Sequence, residues 1–258
     1  MLALVLAGAL LTACGKGSAA SSDRIATVTV QSSASSSTPK PTPSTPAPST
    51  PAPSDASKRQ ARAFAQAVNL TSADVPGFAA TNTKERSSSS EKRLEHEMLS
   101  CAGIAGSAKA LVEESSKDFR LKRQILDLSV SSEVAVQASA AQAQKGLAAI
   151  RSAHVRGCFT RFLQQLFDGE QAKGAKAGPV TIQSGTPPAP GMSGSFGWRV
   201  TATFLVRGVK VPIYLDFLGF VDGPSQITLL SSGLLRPFPA TVQHLFAELL
   251  ARARSHKP

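Results

Sequence analysis

Four histidines, three cysteines and one glycine-serine cluster are the residues of this chain whose types could carry chemistry. His96, His154, His244 and His256 fall on separate predicted helices or in the C-terminal tail. No two share the i, i+4 spacing that aims two imidazoles at one metal ion, and Cys101 and Cys158 lack the CxxC partners of a zinc site. Neither a metal nor a cofactor is therefore expected. Gly191-Met192-Ser193-Gly194-Ser195 has the residue types of a G-x-S-x-G nucleophile elbow but not its spacing, because the second glycine directly follows Ser193. Thr186-Pro187-Pro188-Ala189-Pro190 also precedes it where a strand is required, so a loop is expected and no catalytic residue is assigned. Arg199, Asp216 and Asp222 could meet in a groove near a hairpin, with salt bridging or solvation as the default for such charges.

The remaining thiol, Cys14, ends the run Leu11-Thr12-Ala13-Cys14. This run resembles the lipobox of bacterial lipoproteins, in which an aliphatic residue and two small ones precede the cysteine that receives a diacylglyceryl group. The resemblance implies cleavage before Cys14 and a mature protein held by its lipid on the outer face of the cell membrane. Residues 1–13 are apolar but fall short of the ~20 residues a spanning helix needs, so they read as a signal-peptide core. They lack a basic leader, and a few basic residues upstream are expected. Residues 14–56 are dominated by Ser, Thr, Pro and Ala, with a near-repetitive centre at Pro39-Lys40-Pro41-Thr42-Pro43-Ser44-Thr45-Pro46-Ala47-Pro48-Ser49-Thr50-Pro51-Ala52-Pro53. Such a segment cannot bury apolar surface and its prolines favour extended conformations, so it reads as a disordered spacer. At ~3.1 Å per residue it could reach on the order of 100 Å.

The domain is expected over residues 57–258. Residues 58–69 have helix-forming composition with Ala61, Phe64, Ala65 and Val68 on one side. A turn follows, stopped by Pro76-Gly77, and residues 79–90 read as a loop. Residues 91–102 and 104–116 read as two short helices, 119–136 as one long strand or two shorter ones, and 139–168 as the longest helix. Strands are expected at 179–184, 197–206, 209–220 and 226–235, with Arg207-Gly208 as a tight hairpin connection and Pro212 marking an edge or a bulge. Residues 239–254 close the chain as a helix with Pro239 in its first turn. The sum is α+β: one domain, an antiparallel sheet packed by helices. Cys101 and Cys158 lie on the core sides of their helices and are an even pair in an oxidising compartment, so a disulfide between them is expected.

The order of landmarks resembles a family of actinobacterial cell-envelope lipoproteins and sensor modules, the LpqN type and the extracellular domain of PknH-type receptor kinases. The landmarks are Leu70, Asp74-Val75-Pro76-Gly77-Phe78, Cys101-Ala102-Gly103, Ser115-Ser116 before Phe119, Val134-Ala135-Val136, Cys158 and Leu249-Leu250 with Arg252. They cover about residues 57–255. The resemblance implies a PsbP-like α/β/α sandwich and a non-catalytic binding or interaction role. The PknH-type module carries two disulfides where one pair is available here, and the sequence contains no kinase domain, so sensing coupled to phosphorylation does not carry over.

The expected function is therefore a non-enzymatic lipoprotein whose domain binds an envelope lipid, glycan or protein in an apolar pocket between sheet and helices. The alternative is an adaptor that meets anionic polymers or lipid headgroups through a basic surface. Lys and Arg outnumber Asp and Glu by 28 to 17, a net charge of +11, although the basic residues are scattered rather than blocked. Nucleic acid is not expected as a partner outside the membrane, and a single Trp198 and a single Tyr214 supply little stacking surface.

Overall fold

Strands that are apolar on both sides dictate the architecture. The computed structural model describes residues 54–81, 89–103, 110–123, 126–169, 175–206 and 208–257. The signal peptide, Cys14 and the Pro-rich spacer lie outside the described residues. The strands are β1 (Ala79–Thr81), β2 (Val112–Ser115), β3 (Asp118–Arg123), β4 (Leu126–Val136), β5 (Ala175–Ala177), β6 (Thr181–Gly185), β7 (Gly194–Val206), β8 (Val209–Asp222) and β9 (Ser225–Leu234). They form one antiparallel sheet in the order β1-β3-β4-β9-β8-β7-β5, with β2 on β4 and β6 on β7. The helices are α1 (Asp55–Val68), α2 (Ser89–Cys101), α3 (Ala140–Arg151), α4 (Ala153–Gly169) and α5 (Pro239–Ser255).

In β8, Leu215 and Phe217 join one core while Leu218 and Phe220 face the other, as the period of two requires. A sheet buried on both faces must be covered on both. α2, α3 and α4 cover the first face, where Phe159 packs on Trp198 and meets Phe217 edge-on at 5.4 Å. α1 and α5 cover the second, where Phe220 and Phe246 meet edge-on at 5.6 Å. Gly219 is required by this packing, since the Phe196 ring occupies the space that a Cβ there would need. The result is the expected α+β class in an α/β/α layering.

Several boundaries depart from the expected ones for identifiable reasons. Residues 104–116 were expected as a helix, but Val112–Ser115 pair with Val136–Glu133 as an edge strand. Register explains this: β3 pairs β4 only up to Val130, leaving the upper part of that β4 edge open. Tertiary pairing of this kind outweighs local helix propensity. The expected helix over 139–168 is two helices, broken at Ser152. Its backbone is extended, and its hydroxyl accepts the Val155 N–H at 3.1 Å as the cap of α4. Residues 119–136 form two strands, and the expected loop over 79–90 contains β1 and the start of α2. Pro212 lies in a central strand rather than at an edge. Its carbonyl points to the β9 side, where it accepts Leu235 N–H at 2.8 Å, and the β8–β9 pairing has already ended at Ile213. The missing donor therefore falls where no ladder bond is needed.

The Cys101–Cys158 disulfide is present, with Cα atoms 5.8 Å apart, and ties the end of α2 to α4. With a sequence separation of 57 between the two cysteines, chain entropy assigns it about 4 kcal/mol.

A polar clamp positions α5. Asn69, which caps α1, donates from Nδ2 to Glu114 O at 2.9 Å and accepts Ser132 Oγ–H at 2.8 Å. Ser132 Oγ in turn accepts Leu70 N–H. From α5, Arg252 donates to Asn69 O at 3.0 Å and pairs with Asp74, whose other oxygen accepts Thr71 N–H at 2.7 Å. The turn after α1 is thus tied to β4, β2 and α5 at once.

Burial alone would push the Asp74 carboxyl up, but the Arg252 hydrogen bond, the two Thr71 donors and the Arg252 charge together hold it below its ordinary 3.8. A group with a depressed folded-state pKa stabilises the fold above its unfolded value and loses that contribution as pH falls through the folded one. Asp74→Asn is therefore expected to cost about 2 kcal/mol at pH 7. The gap to the parent should close as pH falls below 3.8, measured by urea unfolding across pH.

Candidate functional groove

A hollow lies on the second face, between α5 and the segment that joins β6 to β7. Two adjoining hollows of about 470 and 370 Å³ share Pro187, Arg199, Asp216 and Leu218. Each volume falls within the ~300–1,000 Å³ range of small-molecule sites. α5 forms one wall because Val242, Leu245, Phe246 and Leu249 follow helical spacing toward the sheet. That leaves Gln243 and Ala247 at the groove side, where both are exposed.

The opposite wall is a proline-rich segment held at several points. Ser195 Oγ donates to Pro187 O, Arg254 donates to Pro190 O, and Met192 N–H bonds Ala189 O at 3.1 Å. Ser193 N–H closes onto Val221 O at 2.8 Å. Gly191 takes φ +80 beside the Arg254 side chain, a conformation glycine adopts without strain.

The floor carries the charge. Arg199 on β7 faces Asp216 on β8 directly across the hairpin, and its Nε and Nη2 donate to the two carboxylate oxygens at 2.6 and 3.1 Å. The Asp216 side chain is 6% exposed and that of Arg199 is 38% exposed, so the guanidinium forms the accessible side of the pair. The Asp216 hydrogen bond raises the Arg199 pKa, keeping it cationic. One edge of the guanidinium fork is used, and Nη1 has no protein partner among the described residues. A carboxylate, phosphate or hydroxyl could bind there, with apolar bulk lying against Phe246, Leu250 and Leu218.

The expected charges thus meet in part. Arg199 and Asp216 form the pair, whereas Asp222 ends β8, six residues and roughly 20 Å from Asp216 along the strand. The signal for the pair was present in the sequence. A two-residue connection at 207–208 sets Val206 opposite Val209, which places Arg199 opposite Asp216. The signal for the α5 wall was not, since it depends on where the helix docks.

The other singled-out residues are dispersed. His96, His244 and His256 are exposed on α2, on α5 and at the end of α5. His154 lies beside the disulfide, its Nε2 2.7 Å from Cys101 O and 3.9 Å from Cys158 Sγ. Ser193 is exposed in the turn before β7, and Ser195 is buried with its hydroxyl engaged. Among the described residues no three His, Cys, Asp or Glu side chains gather as metal ligands. A smaller hollow of about 200 Å³ on the first face has the Arg120–Asp127 pair on one side and Phe167 on the other.

No known family model matches this chain, and no curated protein matches it.

Removing one partner of the floor pair leaves the other buried without its counter-ion. Arg199→Met is expected to cost about 2 kcal/mol, less than a fully buried pair because the guanidinium is half-exposed. Arg199→Met with Asp216→Leu should recover more than half of that in urea unfolding. A loss in the double variant equal to the sum of the Arg199→Met and Asp216→Leu losses would show that the pair is not coupled.

Proposed function

We propose that this chain is an extracytoplasmic lipoprotein whose domain is a non-catalytic binding module, its ligand seated in the groove between α5 and the Pro187-Pro188 segment. The observation that carries this reading is the groove itself, in which an apolar wall faces a cation with a free hydrogen-bonding edge. An amphipathic occupant fits that arrangement, and an envelope lipid, a glycan or a protein segment each supplies one. The dispersion of the histidines and the engaged hydroxyl of Ser195 favour binding over catalysis. The likeness to the LpqN type and PknH-type sensor modules points the same way. Two of its landmarks, Asp74 and Arg252, form an ion pair that seats α5 as the groove wall.

The anchor part of the reading rests on Leu11-Thr12-Ala13-Cys14 and on the Ser/Thr/Pro spacer that follows. Among the described residues no helix is long and apolar enough to cross a membrane. Acylation of Cys14 would supply the attachment, with ~0.8 kcal/mol per buried methylene.

Cys14→Ser is expected to release the protein from the membrane fraction and to abolish a diacylglyceryl mass on the mature chain, both read by fractionation and intact-mass spectrometry. A mutant that stays as firmly bound would disprove the anchor. Native mass spectrometry of the protein extracted in detergent from its own envelope should show a reproducible extra mass. Ala247→Trp, which fills the groove from an exposed position, should remove that mass while its thermal midpoint matches that of the parent stripped of ligand. A bare parent protein would remove the ligand-binding reading and leave the anchor untouched.

A further inference from the structure

The first face of the sheet, beneath α3, carries a polar patch that the protein itself leaves without partners. Thr228 on β9 lies directly opposite Glu133 on β4, and Gln226 lies one row further along, opposite Ala135. On the other side of β4, β2 places Ser115 opposite Glu133 and Glu113 opposite the same Ala135. Alternation puts all of them on the face of Ala135 and Leu230, which α3 and α4 cover. Glu133, Thr228 and Gln226 are 2%, 3% and 0% exposed. Yet Glu133 Oε1, Thr228 Oγ1 and both amide atoms of Gln226 have no hydrogen-bond partner. Native interiors leave only a few such atoms unmet per hundred residues, and here four fall together.

Apart from the Gln226 amide nitrogen, the groups share one chemistry, which is oxygen. Two carboxyls, an amide carbonyl and a hydroxyl from three neighbouring strands surround Ala135, whose single methyl is the smallest side chain short of glycine. Gly146 of α3 lies over Gln226, where an added Cβ would stand 3.2 Å from its Oε1. Burial and the neighbouring Glu113 push the Glu133 carboxyl well above its ordinary range, and no basic side chain pulls either carboxyl back down.

We infer that Glu113, Glu133, Gln226 and Thr228 form a site for a hard divalent cation, calcium above others. Calcium takes carboxylate, carbonyl and water oxygens in flexible geometry, whereas magnesium demands a near-ideal octahedron and zinc prefers imidazole and thiolate. A cation here supplies the partner that each orphan oxygen lacks and turns the repulsion between the two carboxylates into shared attraction. Glu113 is exposed on the edge strand and gives the ion a way in. With only two carboxylates the site belongs to the weak class of extracellular calcium modules, with a Kd of about 10⁻⁴–10⁻³ M.

The test takes the full chain in detergent micelles, stripped with EDTA, and titrates it with calcium chloride by isothermal calorimetry and thermal melting. One saturable site and a thermal midpoint that rises with calcium are expected, with a smaller rise in magnesium. Glu133→Gln, which keeps the shape and removes the charge, should stay folded in EDTA and weaken calcium by at least about tenfold. Glu113→Gln on the exposed rim gives the same readout without altering a buried group. No calcium binding by the parent chain overturns the inference, and so does binding that both variants leave unchanged.

Discussion

β8 carries large apolar side chains on both of its faces, and this two-sidedness governs the rest of the molecule. Leu215 and Phe217 must leave water on one side while Leu218 and Phe220 must leave it on the other. One layer of helices cannot satisfy both. The chain therefore wraps the sheet, sending α2, α3 and α4 to one face and its two terminal helices, α1 and α5, to the other. Because the second layer is built from opposite ends of the domain, it needs a lock that joins them. Arg252 provides it by bonding both Asn69 O and Asp74. The disulfide does the corresponding work on the first face, where it ties the end of α2 to α4.

The groove follows from the same wrapping. α5 docks over β8 and β9, whereas β7 carries the β6–β7 segment across its outer side, and the strip of β7 and β8 between them is left uncovered. Arg199 and Asp216 occupy that strip. A bidentate pair is a low-cost solution for a place that is neither core nor surface. Asp216 is desolvated but fully bonded, and Arg199 keeps part of its guanidinium in water. The polar patch around Glu133 is the reverse case. Its Glu133, Gln226 and Thr228 oxygens are buried and unmet, which is unfavourable for the protein alone and suited to an ion.

Local chemistry carried some of this into the sequence. Apolar spacing marks α1 and α5, the two-residue connection marks the β7–β8 hairpin with its Arg199–Asp216 register, and Cys101 and Cys158 lie on apolar helix faces. Elements decided by pairing were not legible in the same way. Val112–Ser115 has no strand pattern of its own and is a strand because the free edge of β4 accepts it. Ser152 breaks a continuous helical pattern because its hydroxyl caps the next helix, a choice that serine leaves open in either conformation.

By itself the sequence determined the class, the disulfide pair and the facing of Arg199 with Asp216. Each of these depends on neighbours in the chain or on a pattern of fixed period. Only the tertiary structure decided that Arg252 meets Asp74, that α5 and a proline segment enclose a groove, and that Glu113, Glu133, Gln226 and Thr228 share one spot. Those groups come from elements far apart in the chain, and their meeting is set by strand order and helix docking, to which no local spacing rule is sensitive.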